Sequence, residues 1–185
     1  MSDFMSEKKP VSSVDKHKKH VIEPVNAAVI TLSTSRAKEN NKNPASDESG
    51  DIIQELFEKQ GHAVVARQLL PDSKPLLRAA VRRYAEDENV HVIITTGGTG
   101  LSPTDVTIEA VRDLLEKELT GFNALFTQLS YAQVKSAAIL SKAIAGSINM
   151  KILFCLPGSP HACELAMKSI ILPELGHIFH MLRGQ

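Results

Sequence analysis

The chain has 185 residues, 43% of them hydrophobic and 23% charged, with 21 basic side chains balancing 21 acidic ones. That is ordinary globular composition for about one domain, and the zero net charge argues against holding a nucleic-acid backbone by bulk charge. No apolar run approaches the roughly 20 residues that a membrane span needs, the first 20 residues lack the apolar segment of a secretory signal, and two cysteines build neither a disulfide framework nor a common zinc pattern. The expectation is a reduced, cytoplasmic protein without nucleic-acid or membrane partners, whose core is filled by Leu, Ile, Val and Ala because Trp is absent and aromatics are only 4%.

Residues 1–22 read as a polar, mildly basic, disordered arm, and 23–185 as one α/β domain. Residues 25–33, VNAAVITLS, form a continuous apolar run with β-branched residues, which predicts a strand buried on both faces. A polar stretch, 34–46, follows as a long loop. Ile52, Ile53, Leu56 and Phe57 then share one helical face, with Gly61 as its stop. A second strand is expected over 62–71, then a helix opened by Ser73 or Lys74 with Leu77, Val81 and Tyr84 inward, and a third strand over 91–96. Beyond the segment GGTGLSPTD, a helix is expected with Ile108, Val111, Leu115 and Leu119 on one face. Gly121 interrupts it. Two further helices follow over 122–134 and 135–146, a strand over 151–157, and a closing helical region broken near Pro173. Strands alternating with helices predict right-handed crossovers and a mainly parallel sheet with helices on both faces, a three-layer α/β/α fold.

Ligands of open parallel sheets bind outside the carboxyl ends of the strands. Three such ends carry suggestive residues: Ser33-Thr34-Ser35-Arg36, Thr95-Thr96-Gly97-Gly98-Thr99-Gly100, and Pro157-Gly158-Ser159-Pro160. The second is the strongest, since its glycines let backbone N–H groups approach an anion and its threonines add donors, which predicts a phosphate site. It is neither a Walker A loop nor a dinucleotide fingerprint. The Pro157–Pro160 turn reads either as a second phosphate site or as a helix cap by Ser159 with Pro160 at the first position. Asp47 and Asp105 each read as a helix-start acid or as a functional carboxylate. Two carboxylates converging on a phosphate would need a cation between them, and Mg²⁺ fits that need. His161, directly after the Pro157–Pro160 turn, reads as an exposed helix-start histidine or as a phosphate contact, His177 and His180 read as surface or packing residues, and Cys155 and Cys163 as inert packing.

The run Thr95–Gly100 followed by Ser102-Pro103-Thr104-Asp105-Val106-Thr107 resembles the MoaB/MogA family of molybdenum cofactor biosynthesis proteins. So do Asp47-Glu48-Ser49-Gly50-Asp51, Glu118–Phe122, Leu140-Ser141-Lys142-Ala143 and Leu156–Pro160, the resemblance spanning roughly 24–183 and leaning to the MoaB branch. It implies a three-layer α/β fold, assembly as a trimer or hexamer, and Mg²⁺-dependent adenylylation of molybdopterin by ATP with release of pyrophosphate, ahead of a separate metal-insertion protein. It also implies Asp47 and Asp105 as the acidic catalytic pair, tentatively holding Mg²⁺. Phosphate and substrate would meet Ser33, Ser49, Gly50, Thr96, Gly97, Gly98, Thr99, Gly100, Ser141, Pro157, Gly158 and Ser159.

Three positions depart from the family's usual pattern. Thr34 stands where the first strand often carries Asp, Thr104 where Arg commonly precedes the acid, and Lys142 where Arg is frequent. These departures keep a second reading alive, that of a non-catalytic molybdopterin-binding or carrier protein of the same fold.

Overall fold

A computed structural model of the chain describes residues 24–39 and 46–184; the arm expected over 1–22 lies outside the described residues. Six strands form one sheet: β1 (Asn26–Leu32), β2 (Ala63–Leu70), β3 (Val92–Thr96), β4 (Lys117–Glu118), β5 (Ile144–Ile148) and β6 (Lys151–Leu156). Their order is β2-β1-β3-β6-β5-β4. The strands β2, β1, β3 and β6 run parallel, while β5 and β4 are antiparallel additions at one edge. The parallel strands β1, β3 and β6 are buried almost throughout, which is why they read as unbroken apolar runs instead of alternating ones.

The helices are α1 (Thr34–Glu39), α2 (Glu48–Lys59), α3 (Lys74–Glu86), α4 (Thr107–Val111), α5 (Thr120–Val134), α6 (Pro160–Ala166) and α7 (Leu172–Leu182). One face of the sheet packs through Val29, Ile94 and Phe154 against Ile53 and Phe57 of α2, Phe122 and Phe126 of α5, Cys163 of α6, and Leu175 and Phe179 of α7. The other packs through Ile30, Ile93 and Leu153 against Leu77, Val81 and Tyr84 of α3 and Ile108 and Val111 of α4. These two cores make the three expected layers.

Five expectations are corrected. The polar stretch after β1 begins as the short helix α1, because Ser33 is free to start a turn once β1 ends: its carbonyl accepts from Ala37 N. The helix expected through Leu119 stops early. After α4 comes a 3₁₀ turn, Arg112–Leu114, and Leu115 turns inward to the second core, where its side chain occupies the space a Cβ on Gly146 would need. Gly121 interrupts nothing, since it lies in the first turn of α5, where the chain is open. Residues 135–146 are not a helix: a 3₁₀ segment, Lys135–Leu140, leads to β5, whose Ile-Ala-Gly-Ser-Ile composition hides its strand character. The turn into β6 is made by Asn149 and Met150, both at positive φ (47° and 59°), the geometry of a two-residue hairpin without the glycine that advertises it. The closing region is also unbroken at Pro173. A π-helical turn, Met167–Ile171, joins α6 to α7, and Pro173 falls in the first turn of α7, where a missing N–H costs little.

Candidate active site at the carboxyl ends of β1, β3 and β6

From β1 the chain moves outward to β2 and then returns to β3 on the opposite side of β1. The switch point of the sheet therefore lies between β1 and β3, at their carboxyl ends. Gly97 and Gly98 follow β3 there, with φ of 97° and 62°. A Cβ on Gly97 would overlap the carbonyl oxygen of Leu32, at the end of β1. The loop thus folds directly over the neighbouring strand end, a course that only glycine permits.

This loop is held from both sides. Thr107 Oγ1 donates to Gly97 O at 2.7 Å, and Thr107 N donates to Gly98 O at 2.9 Å. Thr96 Oγ1 donates to Pro157 O at 2.9 Å and Gly97 N to Leu156 O at 3.1 Å, which fastens the loop to the turn after β6. Gly158 comes so close to Gly97 that a Cβ on it would lie 3.1 Å from Gly97 Cα. From the far side Ser49, fully buried in the first turn of α2, donates its hydroxyl to Gly158 O at 2.9 Å. Thr99 lies 3.5 Å from Ser141 through their hydroxyls, and Lys142 N donates to Thr99 O. The fold therefore brings together Ser49, Thr96, Gly97, Gly98, Thr99, Ser141, Pro157 and Gly158. Ser159 caps α6, its Oγ accepting from Ala162 N at 3.1 Å. A cleft of about 330 Å³ opens beside it, lined by Ser141, Pro157–Ser159, His161 and residues of α5 including Phe126 and Ser130.

The two candidate carboxylates lie in different settings. Asp47 caps α2: its Oδ1 accepts from Gly50 N at 3.1 Å, and its Oδ2 accepts from Thr31 Oγ1 at 2.8 Å and Arg67 Nη2 at 2.7 Å. Burial alone would raise this carboxyl's pKa, but the bonds from Arg67, Thr31 and Gly50 together outweigh it and hold the group below its ordinary value. Gly50 is glycine for a local reason, since a Cβ there would run into Asp47 Oδ2 and the Arg67 guanidinium.

Asp105 is not a helix cap. It closes the turn after the glycine loop, with Ser102 N donating to its Oδ2 and its own N–H to Ser102 O, each at 2.8 Å. Its Oδ2 also lies 2.7 Å from where a Cβ on Gly100 would be. Its other oxygen accepts nothing from the described residues. Asp105 and Asp47 share no partner among the described residues, and no group of three His, Cys, Asp or Glu side chains is assembled there as a metal site. A magnesium ion fits Asp105, which offers an open oxygen beside the loop, because Mg²⁺ takes few protein ligands and fills the rest with water and phosphate oxygens. It fits Asp47 poorly, since both of that carboxylate's oxygens are engaged and a guanidinium neutralises it.

Ser33 lies at the start of α1, with its N–H donating to Leu70 O at 2.9 Å. Three participants carried no motif. Thr31 and Arg67 set Asp47. Asp72, just past β2, accepts at Oδ2 from Thr34 N (2.9 Å) and Thr34 Oγ1 (2.7 Å), and its Oδ1 lies 3.2 Å from the place of a Cβ on Gly98. Thr34, where a carboxylate was expected, thus binds one that arrives from the next strand. The rule that placed the other candidates, residues at the carboxyl ends of parallel strands, applies equally to Asp72.

A family profile described as "Probable molybdopterin binding domain" matches residues 28–177. The chain belongs to this molybdopterin-binding family of molybdenum cofactor biosynthesis proteins. It is 42% identical over 174 residues to Molybdenum cofactor biosynthesis protein B of Bacillus cereus, an alignment covering 94% of this chain and 99% of the relative. A crystal structure of a molybdenum cofactor biosynthesis protein B superposes with a TM-score of 0.80 at 42% identity, over 88% of this chain and 98% of that one. The tungsten cofactor synthesizing protein MoaB from Pyrococcus furiosus superposes with a TM-score of 0.77 at 33% identity, over 88% and 99%. Among the described residues no helix is long and apolar enough to cross a membrane.

Proposed function

We propose that the chain adenylylates molybdopterin. An oxygen of the terminal phosphate attacks the α-phosphorus of ATP, the bond from that phosphorus to the α,β-bridging oxygen breaks, and pyrophosphate leaves with the electron pair on that oxygen. The attacking phosphate monoester has its second pKa near 6 and is largely ionised at pH 7, so no general base is required. The work left to the protein is positioning and charge stabilisation.

The observation that carries this reading is the interlocking of Gly97–Gly100 with Pro157–Ser159 at the ends of adjacent parallel strands, beside the half-open carboxylate of Asp105. Backbone N–H groups of the loop, with the hydroxyls of Thr99 and Ser141, are assigned to phosphate oxygens. Ser159 and the cleft beside it are assigned to the pterin substrate. Mg²⁺, when bound, would screen the phosphate charges and polarise the α-phosphorus, and Asp105 Oδ1 is the protein oxygen proposed to hold it. Asp47 keeps a structural place at the edge of the site.

The decisive experiment is incubation with molybdopterin, ATP and Mg²⁺, followed by assay for pyrophosphate and adenylylated pterin. Product supports the transferase. Tight molybdopterin binding without product supports the carrier reading instead, which the neutralisation of Asp47 by Arg67 favours because it leaves one available carboxylate where two were expected.

A further inference from the structure

We infer that Arg67 is a positioning residue of this site, acting through Asp47 and Ser49 to hold the Pro157–Ser159 turn in place. The inference rests on the proposed assignment of that turn to the pterin substrate. Arg67 lies on β2, an edge strand, and its hydrogen-bond partners among the described residues lie in the first turns of α2 and its cap, not in the glycine loop or the turn. Its guanidinium spans the start of α2. Nη2 donates to Asp47 Oδ2 and, at 3.3 Å, to Asp47 O, while Nη1 bridges to Asp51 Oδ1 and to Gln54 Oε1 at 3.2 Å.

The Asp47 side of this fork is the shielded one. The Asp47 side chain is 15% exposed against 63% for Asp51, so the first ion pair is screened far less by solvent. Thr31 of β1 completes the grip on the same carboxylate oxygen. The cap residue of α2 is therefore pinned to β1 and β2 together.

Two residues on, Ser49 has no freedom of its own. It is fully buried, and its hydroxyl donates to Gly158 O at 2.9 Å. Gly158 in turn is pressed against Gly97 Cα. A shift of the α2 start by about an ångström would break the Ser49 bond or push Gly158 off the glycine loop. The space for this arrangement is kept by Gly50, whose missing side chain lets the guanidinium meet Asp47. Lysine would not substitute fully, because a point charge reaches one carboxylate where the planar fork spans two.

The test uses the full chain and three variants, Arg67→Met, Arg67→Lys and Ser49→Ala, with backbone hydrogen exchange of residues 157–163, molybdopterin affinity by fluorescence, and adenylylation rate. Arg67→Met should speed exchange in 157–163 about tenfold and raise the molybdopterin Kd about tenfold, the scale of losing one well-formed charged contact. Exchange in β6 should not change, and kcat should fall less than affinity. Arg67→Lys should be intermediate. Ser49→Ala should loosen the same turn with the Arg67–Asp47 pair intact, and Arg67→Met with Ser49→Ala should be no worse there than either alone.

A lowered melting temperature with unchanged exchange in 157–163, or additive effects in the double variant, would overturn the inference. A loosened turn with unchanged molybdopterin affinity would support the clamp and overturn instead the assignment of the turn to the substrate. Should Arg67→Met fail to fold, Arg67→Lys and Ser49→Ala carry the same comparison.

Discussion

Replacing Gly97 by alanine tests the glycine loop most directly. At φ = 97° an L-residue pays a backbone penalty of about 1–2 kcal/mol. The new Cβ would also overlap the Leu32 carbonyl, inside the 3.0 Å that Cβ atoms keep from other atoms. That carbonyl cannot retreat cheaply, because Leu32 is 4% exposed and ends a strand paired with β2 and β3. The loop must move instead, straining the bonds from Gly97 N to Leu156 O and from Thr107 to Gly97 O, at about 1 kcal/mol for a bond lost. The expected destabilisation is about 3 kcal/mol, which for a domain of this size lowers the melting temperature by about 6–12 °C. Calorimetry measures that directly, and ATP titration in the presence of Mg²⁺ should show affinity reduced at least about tenfold if the re-aimed amides are, as proposed, the ones that meet phosphate. Gly121→Ala is the internal control: nothing lies near its Cβ position, and the change should be neutral or stabilise by about 0.5 kcal/mol. If Gly97→Ala melted within a degree or two of the unmodified protein and bound ATP equally well, the loop would not be held as described and the phosphate assignment would fail with it.

Asp105→Asn keeps the acceptor for Ser102 N, so folding and molybdopterin binding should persist while the adenylylation rate falls by roughly two orders of magnitude; near-normal turnover at saturating ATP and Mg²⁺ would refute its role. His91 Nδ1 accepts from Asn26 N at 2.9 Å and His62 Nδ1 from Val25 N, and burial lowers the pKa of both, helped at His91 by Lys151 and Arg183. The neutral rings are favoured by folding, so their stabilisation is complete above 6.5 and is lost as pH falls through their lowered folded values. Melting curves from pH 7.5 to 5 should show that loss, and His91→Asn should flatten it. Burial pushes the Cys155 thiol up to about 12 and Cys163 to about 11, so neither should react with Ellman's reagent at pH 8 until the protein unfolds. Tyr131, Val134, Ile139 and Leu140 are exposed on α5 and the segment after it; sedimentation should show a trimer or hexamer, and Ile139→Glu a monomer.

The parallel half of the fold was legible because β1, β3 and β6 are buried on both faces and so are written as unbroken apolar runs. The antiparallel half was not. β5 is rich in small residues because Gly146 must leave room for the Lys117 carbonyl and the Leu115 side chain, and that composition imitates a helix. β4 is two residues long and exposed, with no periodicity to detect. The π turn before Pro173 leaves no sequence signal either, since it lets a helix run through a residue that normally marks a break.

At the site, legibility followed the backbone. Glycines at strand ends announce themselves because their conformation restricts the residue type, and the contacts of Gly97, Gly98 and Gly158 bear this out one by one. Carboxylates do not, because what an acid does depends on which cation or donor faces it from another strand. Asp47 and Asp105 look alike in sequence, each near Ser and Gly. The difference between them is Arg67, twenty residues from Asp47 and on an edge strand whose outward residues follow no motif. One guanidinium closes Asp47 and leaves Asp105 as the carboxylate with an open oxygen at the loop. An acidic pair inferred from pattern is thus divided by folding into an acid that builds the site and an acid that can serve it.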